Sequence, residues 1–247
     1  MESYSIVQKF MAELIATSML VILGDGVCCN HNLRKSGMNG CGSTQITLAW
    51  GFAVLLPAFI FGKISGAQMN PAVTLGMALI GSTPWHDVFP YIVAQLTGGY
   101  IGAAVLVAIY KEHFRATDDQ DLKRNCFCTS PAIDNPYRNF LSEMVCGFLL
   151  IFSLAGISQS GAINGMNYFL IYAVIVSIGM SLGGLTGYAM NPARDLAPRM
   201  AYATLPVPGK GSAQWNYAWI PSVAPCVGAV LAAGLYKTMI VVGVFHI

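Results

Sequence analysis

Residues 65–74 read SGAQMNPAVT and residues 186–195 read TGYAMNPARD, and this pair of stretches decides the fold. Each contains the same tripeptide, as Asn70-Pro71-Ala72 and as Asn191-Pro192-Ala193. Asparagine is a preferred helix N-cap and proline is favoured at the first helical position. Each copy therefore predicts an irregular approach, an abrupt start and a short helix. The surrounding segments, 63–82 and 188–205, are too short or too interrupted to cross a bilayer alone, which takes about 20 mostly apolar residues. One such tripeptide would be an ordinary helix start. Two copies in matched surroundings are a duplicated device.

Six stretches outside these segments are long and apolar enough to span, at roughly 6–29, 43–62, 87–110, 138–158, 168–187 and 217–242. The connectors 30–42, 111–137 and 159–167 are polar, and 111–137, with its DDQD run, reads as a solvated loop. The composition agrees: 55% of residues are hydrophobic and 10% charged, against about 25% charged in soluble domains. Mean hydropathy is +0.59. The net charge of +2 gives no reason to expect a nucleic-acid surface. The N-terminal run carries Glu13 inside its apolar stretch and lacks a small-residue cleavage site, so it reads as an uncleaved first helix. Seven cysteines form no zinc-finger pattern, so no metal site is expected. A bridge from Cys28, Cys29 or Cys41 to Cys126 or Cys128 is left open.

The duplication extends beyond the tripeptides. Glu13 lies in the first span and Glu143 in the fourth, in similar settings. Each half is then a helix with a buried glutamate, a second helix, an Asn-Pro-Ala half-helix and a third helix. Three spans is an odd number, so the second copy enters the membrane inverted, and inverted repeats with interrupted segments place a site at their interface near the midplane. Half-helices entering from opposite faces bring two positive dipole ends and two Asn amides together there. Irregular backbone is tolerated at that depth only where it lines a watery cavity or is buried in protein.

With these residues in view, the chain resembles the aquaporin, or major intrinsic protein, superfamily over nearly its whole length. Asp195 directly after Arg194 resembles the glycerol-facilitator branch. The resemblance implies one all-α membrane channel domain over 1–247, with six transmembrane helices and two re-entrant half-helices. The repeats cover roughly 1–110 and 138–247 and are joined by 111–137. It also implies a homotetramer in lipid with a pore in each subunit, both termini cytoplasmic, no cofactor, and no enzyme activity. The solutes it implies are glycerol, water and other small neutral molecules, with ions and protons excluded.

The family's narrow point maps onto Trp50, Gly179, Tyr188 and Arg194, and its pore carbonyls onto Gly66, Ala67, Gln68, Gly187, Tyr188 and Ala189. Water-selective members carry a histidine where Gly179 stands, and the glycine is expected to leave that space empty. Glu13 and Glu143 are expected to hold the re-entrant loops through their backbone N–H groups. Taken singly, Trp50 could be an interface tryptophan, Gly179 a helix-packing glycine and Tyr188 a core residue. Arg194 is harder to set aside, because a charge at membrane depth is costly and marks function. Two departures stand out: Gln68 where the family carries histidine, and Tyr188 where bacterial facilitators carry phenylalanine.

Two other readings compete. A water-selective channel is disfavoured by Gly179 and Asp195. A proton-coupled transporter needs titratable relays at the midplane, where only Glu13 and Glu143 are expected, and both read as structural. Orientation is contested as well. The cytoplasmic termini place Arg34, Lys35, Lys111, Arg115, Lys123, Arg124 and Lys210 outside, leaving Lys9, Lys63 and Lys237 inside. The positive-inside rule points the other way.

Overall fold

The computed structural model describes residues 4–161 and 165–245, so residues 162–164 of the 159–167 connector lie outside the described residues. The described elements are α1 (Ile6–Asn32), α2 (Ser43–Ser65), α3 (Pro71–Ile80), α4 (Trp85–Ile109), α5 (Lys111–Ala116), α6 (Gln120–Arg124), α7 (Pro136–Gln159), α8 (Met166–Thr186), α9 (Pro192–Thr204) and α10 (Trp215–Val241). Helices α1, α2, α4, α7, α8 and α10 are long and apolar enough to cross a membrane. Their ends fall within three residues of those expected.

Starts and stops are written locally. Ser5 caps α1 in a box with Gln8, and Asn135 caps α7 with Pro136 behind it. Helices α2 and α8 end on Gly66 and Gly187, with φ of 86° and 79°, a left-handed turn open to glycine. In both halves the chain turns at this glycine into the Asn-Pro-Ala segment.

Packing repeats the sequence duplication. Helix α1 packs on α2 and α4, and α7 packs on α8 and α10. Each half-helix packs chiefly on the third span of the opposite half, α3 on α10 and α9 on α4. Small residues set the close crossings, as expected where helices associate without a hydrophobic driving force. A Cβ on Gly98 would fall on the Leu14 carbonyl oxygen, and one on Gly228 on that of Met144. Leu14 and Met144 follow the two buried glutamates, so these crossings fix both carboxylates at matched depth.

The segment 111–137 corrects one expectation. Instead of a solvated loop it holds α5 and α6, buries Phe114, Cys126 and Phe127 completely, and covers Lys123 and Arg124. The stacked rings of Phe114 and Phe127, 5.5 Å apart, pack with Leu33, Leu106 and Tyr202. Lys123 and Arg124, with Lys210 from the neighbouring loop, are held by structural contacts. Lys123 donates to the carbonyls of Pro208 and Gly209 at 2.7 and 3.1 Å, and Lys210 to those of Ala203 and Leu205 at 2.6 and 2.7 Å. Arg124 pairs with Asp121 at 2.6 Å. Folding thus occupies three of the cations that the positive-inside rule counts against the orientation implied by the resemblance. All seven cysteines are free thiols, and burial pushes the Cys128 thiol up to about 12.

Candidate functional site

The two half-helices meet at their N-termini in the middle of the molecule. Asn70 accepts from the Ala72 N–H at 2.9 Å, and Asn191 accepts from Ala193 and Arg194 at 2.9 and 3.1 Å. Each side-chain amide then crosses to the other half. Asn70 Nδ2 donates to the Met190 carbonyl at 2.9 Å, and Asn191 Nδ2 to that of Met69 at 2.7 Å. Each bond uses one of two amide hydrogens. The other is left at the cavity that both residues line.

The approaches to these caps are strained in matched fashion. Ala67 and Met69 have φ of 44° and 50°, while Tyr188 and Met190 have 39° and 53°. Left-handed non-glycine residues cost about 1–3 kcal/mol each and persist only when their surroundings hold them. The glutamates supply that hold. Glu13 accepts from Ser65 Oγ (2.6 Å), Gln68 N (2.8 Å), Met69 N (2.7 Å) and Gln95 Nε2 (2.9 Å). Glu143 accepts from Thr186 Oγ1 (2.7 Å), Ala189 N (2.9 Å) and Met190 N (3.0 Å). With the N–H groups of Gln68, Met69, Ala189 and Met190 turned to these carboxylates, the carbonyls of Gly66, Ala67, Gln68, Gly187, Tyr188 and Ala189 meet no protein donor among the described residues. Five of these residues line the first of two cavities, the inner one, which Asn70 and Asn191 also line, and Gly187 lines the second, the outer one.

Two cavities, of about 790 and 630 Å³, approach each other through the protein. The first runs from a mouth at Lys9, Lys63 and Asp87 past Asn70 and Asn191. The second opens beneath the folded 111–137 segment, at Asn125 and Thr129. Among the described residues, only Trp50, Tyr188 and Arg194 line both. These three stand where the two cavities approach, with the Arg194 guanidinium carbon 4.0 Å from the centre of the Trp50 ring.

Gly179 adjoins this point but does not leave an empty space, which corrects the expectation. A Cβ there would lie 2.6 Å from Thr47 Cγ2 and 2.9 Å from two atoms of the Tyr188 ring. The glycine makes room for the tyrosine. Gln68, the other departure, donates to Thr83 Oγ1 at 2.6 Å.

Three features escaped the sequence reading. Asp195 accepts from Thr129 N and Oγ1, both at 2.7 Å, and from the guanidinium of Arg199 at 2.9 and 2.7 Å. Arg199 in turn donates to the carbonyls of Thr129 and Ala213 at 2.9 and 2.6 Å. This buried network ties α9 to the outer loops. Gly24 lies against the Trp50 ring, leaving no space for a side chain. Asp25, the next residue, is a third buried carboxylate in the spans, so Glu13 and Glu143 are not alone there. The available signal was an acid inside the apolar run LGDGV.

Comparison with known proteins agrees with this geometry. The chain is 44% identical over 228 residues to the probable glycerol uptake facilitator protein of Thermotoga maritima, covering 92% of this chain and 97% of that one. It is 43% identical to the glycerol uptake facilitator protein of Bacillus subtilis, covering 92% and 83%. Its fold matches the X-ray structure of the aquaglyceroporin from Plasmodium falciparum with a TM-score of 0.85 at 27% identity, covering 96% of this chain and 97% of that one. The family model described as Major intrinsic protein matches residues 1–236, and the chain belongs to that family of membrane channels.

Proposed function

We propose that the protein is a passive channel of the cell membrane for glycerol and other small uncharged solutes, and for water, that excludes ions and protons. The observation that carries this is the meeting of the two cavities at Trp50, Tyr188 and Arg194 alone. Glycerol carries hydroxyls along one side and C–H groups along the other. Trp50 and Tyr188 offer an apolar corner to its carbons. Arg194, with donors and no acceptor, takes hydroxyl oxygens, and the free carbonyls take hydroxyl protons. The positive ends of the two half-helix dipoles, which meet beside Arg194, repel cations; aquaporin-type pores are a standing example of such barriers. Glu13 and Glu143, occupied by loop donors, offer no relay for proton coupling. Assembly as a homotetramer in lipid, with one pore per subunit, belongs to the same proposal.

Swelling of vesicles containing the purified protein tests it. Glycerol is expected to enter much faster than into empty vesicles, with water also faster and larger sugar alcohols slower. Trp50→Ala widens the constriction and should let larger polyols through. Glycerol entry no faster than in empty vesicles would refute the channel.

Cytoplasmic termini are proposed as well, which places the outer cavity and the 111–137 segment outside the cell. Asp118 is a suitable probe position because its side chain is 89% exposed. In a Cys41→Ser background, Asp118→Cys is expected to react with an impermeant maleimide in intact cells. Reaction only after lysis would reverse the orientation.

A further inference from the structure

We propose that Asp25 is the counter-ion of Arg194 and sets the charge selectivity of the constriction, by leaving it a neutral ion pair instead of a lone cation. The inference rests on the reading of the Trp50–Tyr188–Arg194 contact as the pore's narrow point. Asp25 Oδ1 lies 3.5 Å from Arg194 Nη1, and the two side chains are 1% and 9% exposed. Neither carboxylate oxygen of Asp25 has a hydrogen-bond partner among the described residues, and neither does Arg194 Nη1. A buried carboxylate bare of donors is unusual, since such groups ordinarily gather hydrogen bonds. Here the nearby guanidinium is what compensates it.

The neighbouring charges leave no other pairing. Asp195, adjacent to Arg194 in sequence, is taken by Arg199 at 2.7 Å and by Thr129. Glu13 and Glu143 are taken by the two re-entrant loops. Asp87, buried at the start of α4, is taken by Lys9 at 2.6 Å, so of the carboxylates buried in the described spans and half-helices Asp25 is the one left for Arg194. Asp25 lines neither cavity, so it meets no solute and acts through the arginine. The turn of α1 that carries it is built around the constriction: Gly24 backs the Trp50 ring, and Cys28 lines the outer cavity. A lone guanidinium, added to two half-helix N-termini, would make the narrow point strongly positive. Cations would be refused, and anions would be drawn in. The carboxylate offsets the guanidinium's share of that field, so anions are not drawn in, while the half-helix N-termini still refuse cations and the guanidinium keeps its donors for neutral solutes.

The experiment measures potassium and nitrate leaks, with glycerol entry, in vesicles holding equal amounts of folded protein. The parent is expected to pass glycerol and neither ion. Asp25→Asn, close in size, should open a nitrate leak without a potassium leak. Arg194→Gln, which leaves the carboxylate alone, should open a potassium leak. Asp25→Asn combined with Arg194→Gln should lose both preferences. A merely structural role would not make the favoured ion change sign. Folded Asp25→Asn with ion leaks identical to the parent would overturn the proposal, because the carboxyl would then bring no charge to the constriction. Should Asp25→Asn alone fail to fold, Arg194→Gln with and without it decides: equal potassium leaks overturn the proposal, and a leak that depends on Asp25 supports it. A parent that passes no glycerol refutes the channel reading itself, so the two failures are distinct.

Discussion

Glutamine in place of Glu13 is expected to destabilise the folded protein by about 3–6 kcal/mol, from two lost bonds at about 1.5–3 kcal/mol for each bond to a charged group. The carboxylate accepts four hydrogen bonds, two at each oxygen. An amide keeps one oxygen and turns an NH2 toward two donors, so two bonds go and buried donors face each other. The loss falls where the backbone is least able to absorb it. Ala67 and Met69 hold left-handed angles, and the glutamate's bonds to Gln68 and Met69 keep them there. The same change at Glu143 should cost less, about 1.5–3 kcal/mol, because Oε2 serves the Met190 N–H alone and one bond is lost. Folded yield in detergent and the midpoint of thermal aggregation measure both. Flux per folded molecule should survive in part, since neither carboxylate meets solute. Normal yield and midpoint with glycerol flux abolished would instead mean that Glu13 works in transport, and the passive reading would fall.

These glutamates show what a sequence of this kind makes legible. A charge inside an apolar span is conspicuous residue by residue, and the internal repeat tells what it is for: both copies sit one helix ahead of an Asn-Pro-Ala segment. Helix ends are equally local, written in Ser5, Asn70, Asn135 and Asn191 as caps and in Gly66 and Gly187 as stops. The six spans, the two half-helices and the central asparagines all follow from signals a few residues long.

What the sequence hid depends on distant partners. Thr129 lies 66 positions from Asp195, and nothing near either predicts that they bond. Lys123 and Arg124 look like ordinary solvated charges in a polar stretch. They are covered because their partners, the 208–209 carbonyls and Asp121, let them fold into the outer surface. Asp25 carried the same local signal as Glu13 but has no counterpart in the second half, so the repeat that explained the glutamates gave it no role. The space beside Gly179 was misjudged for a related reason. A glycine in a sequence marks a missing side chain, and only the fold tells which neighbour fills the gap.

That neighbour makes Gly179→His the severest test of the constriction. The Cβ alone would sit 2.6 Å from Thr47 and 2.9 Å from the Tyr188 ring, so something must move before an imidazole is accommodated. Thr47 is tied to its own helix through the Ser43 carbonyl at 2.9 Å. The Tyr188 backbone is held between Gly187 and Ala189, whose N–H groups bond Gly183 and Glu143. The ring can turn only about its side-chain bonds, toward the gap it shares with Trp50 and Arg194. Glycerol flux should then fall by about tenfold or more, which requires only about 1.4 kcal/mol of added barrier. Water, needing less width, should lose less, and the flux ratio should move toward that of a water channel. Overpacking itself costs about 1–3 kcal/mol, so flux has to be compared per folded molecule. A second substitution separates the two effects: Tyr188→Ala in the Gly179→His background removes the displaced ring and should restore glycerol flux without restoring lost stability. A folded Gly179→His protein that passes glycerol as well as the parent would show that Gly179 serves helix packing alone and that the narrow point lies elsewhere.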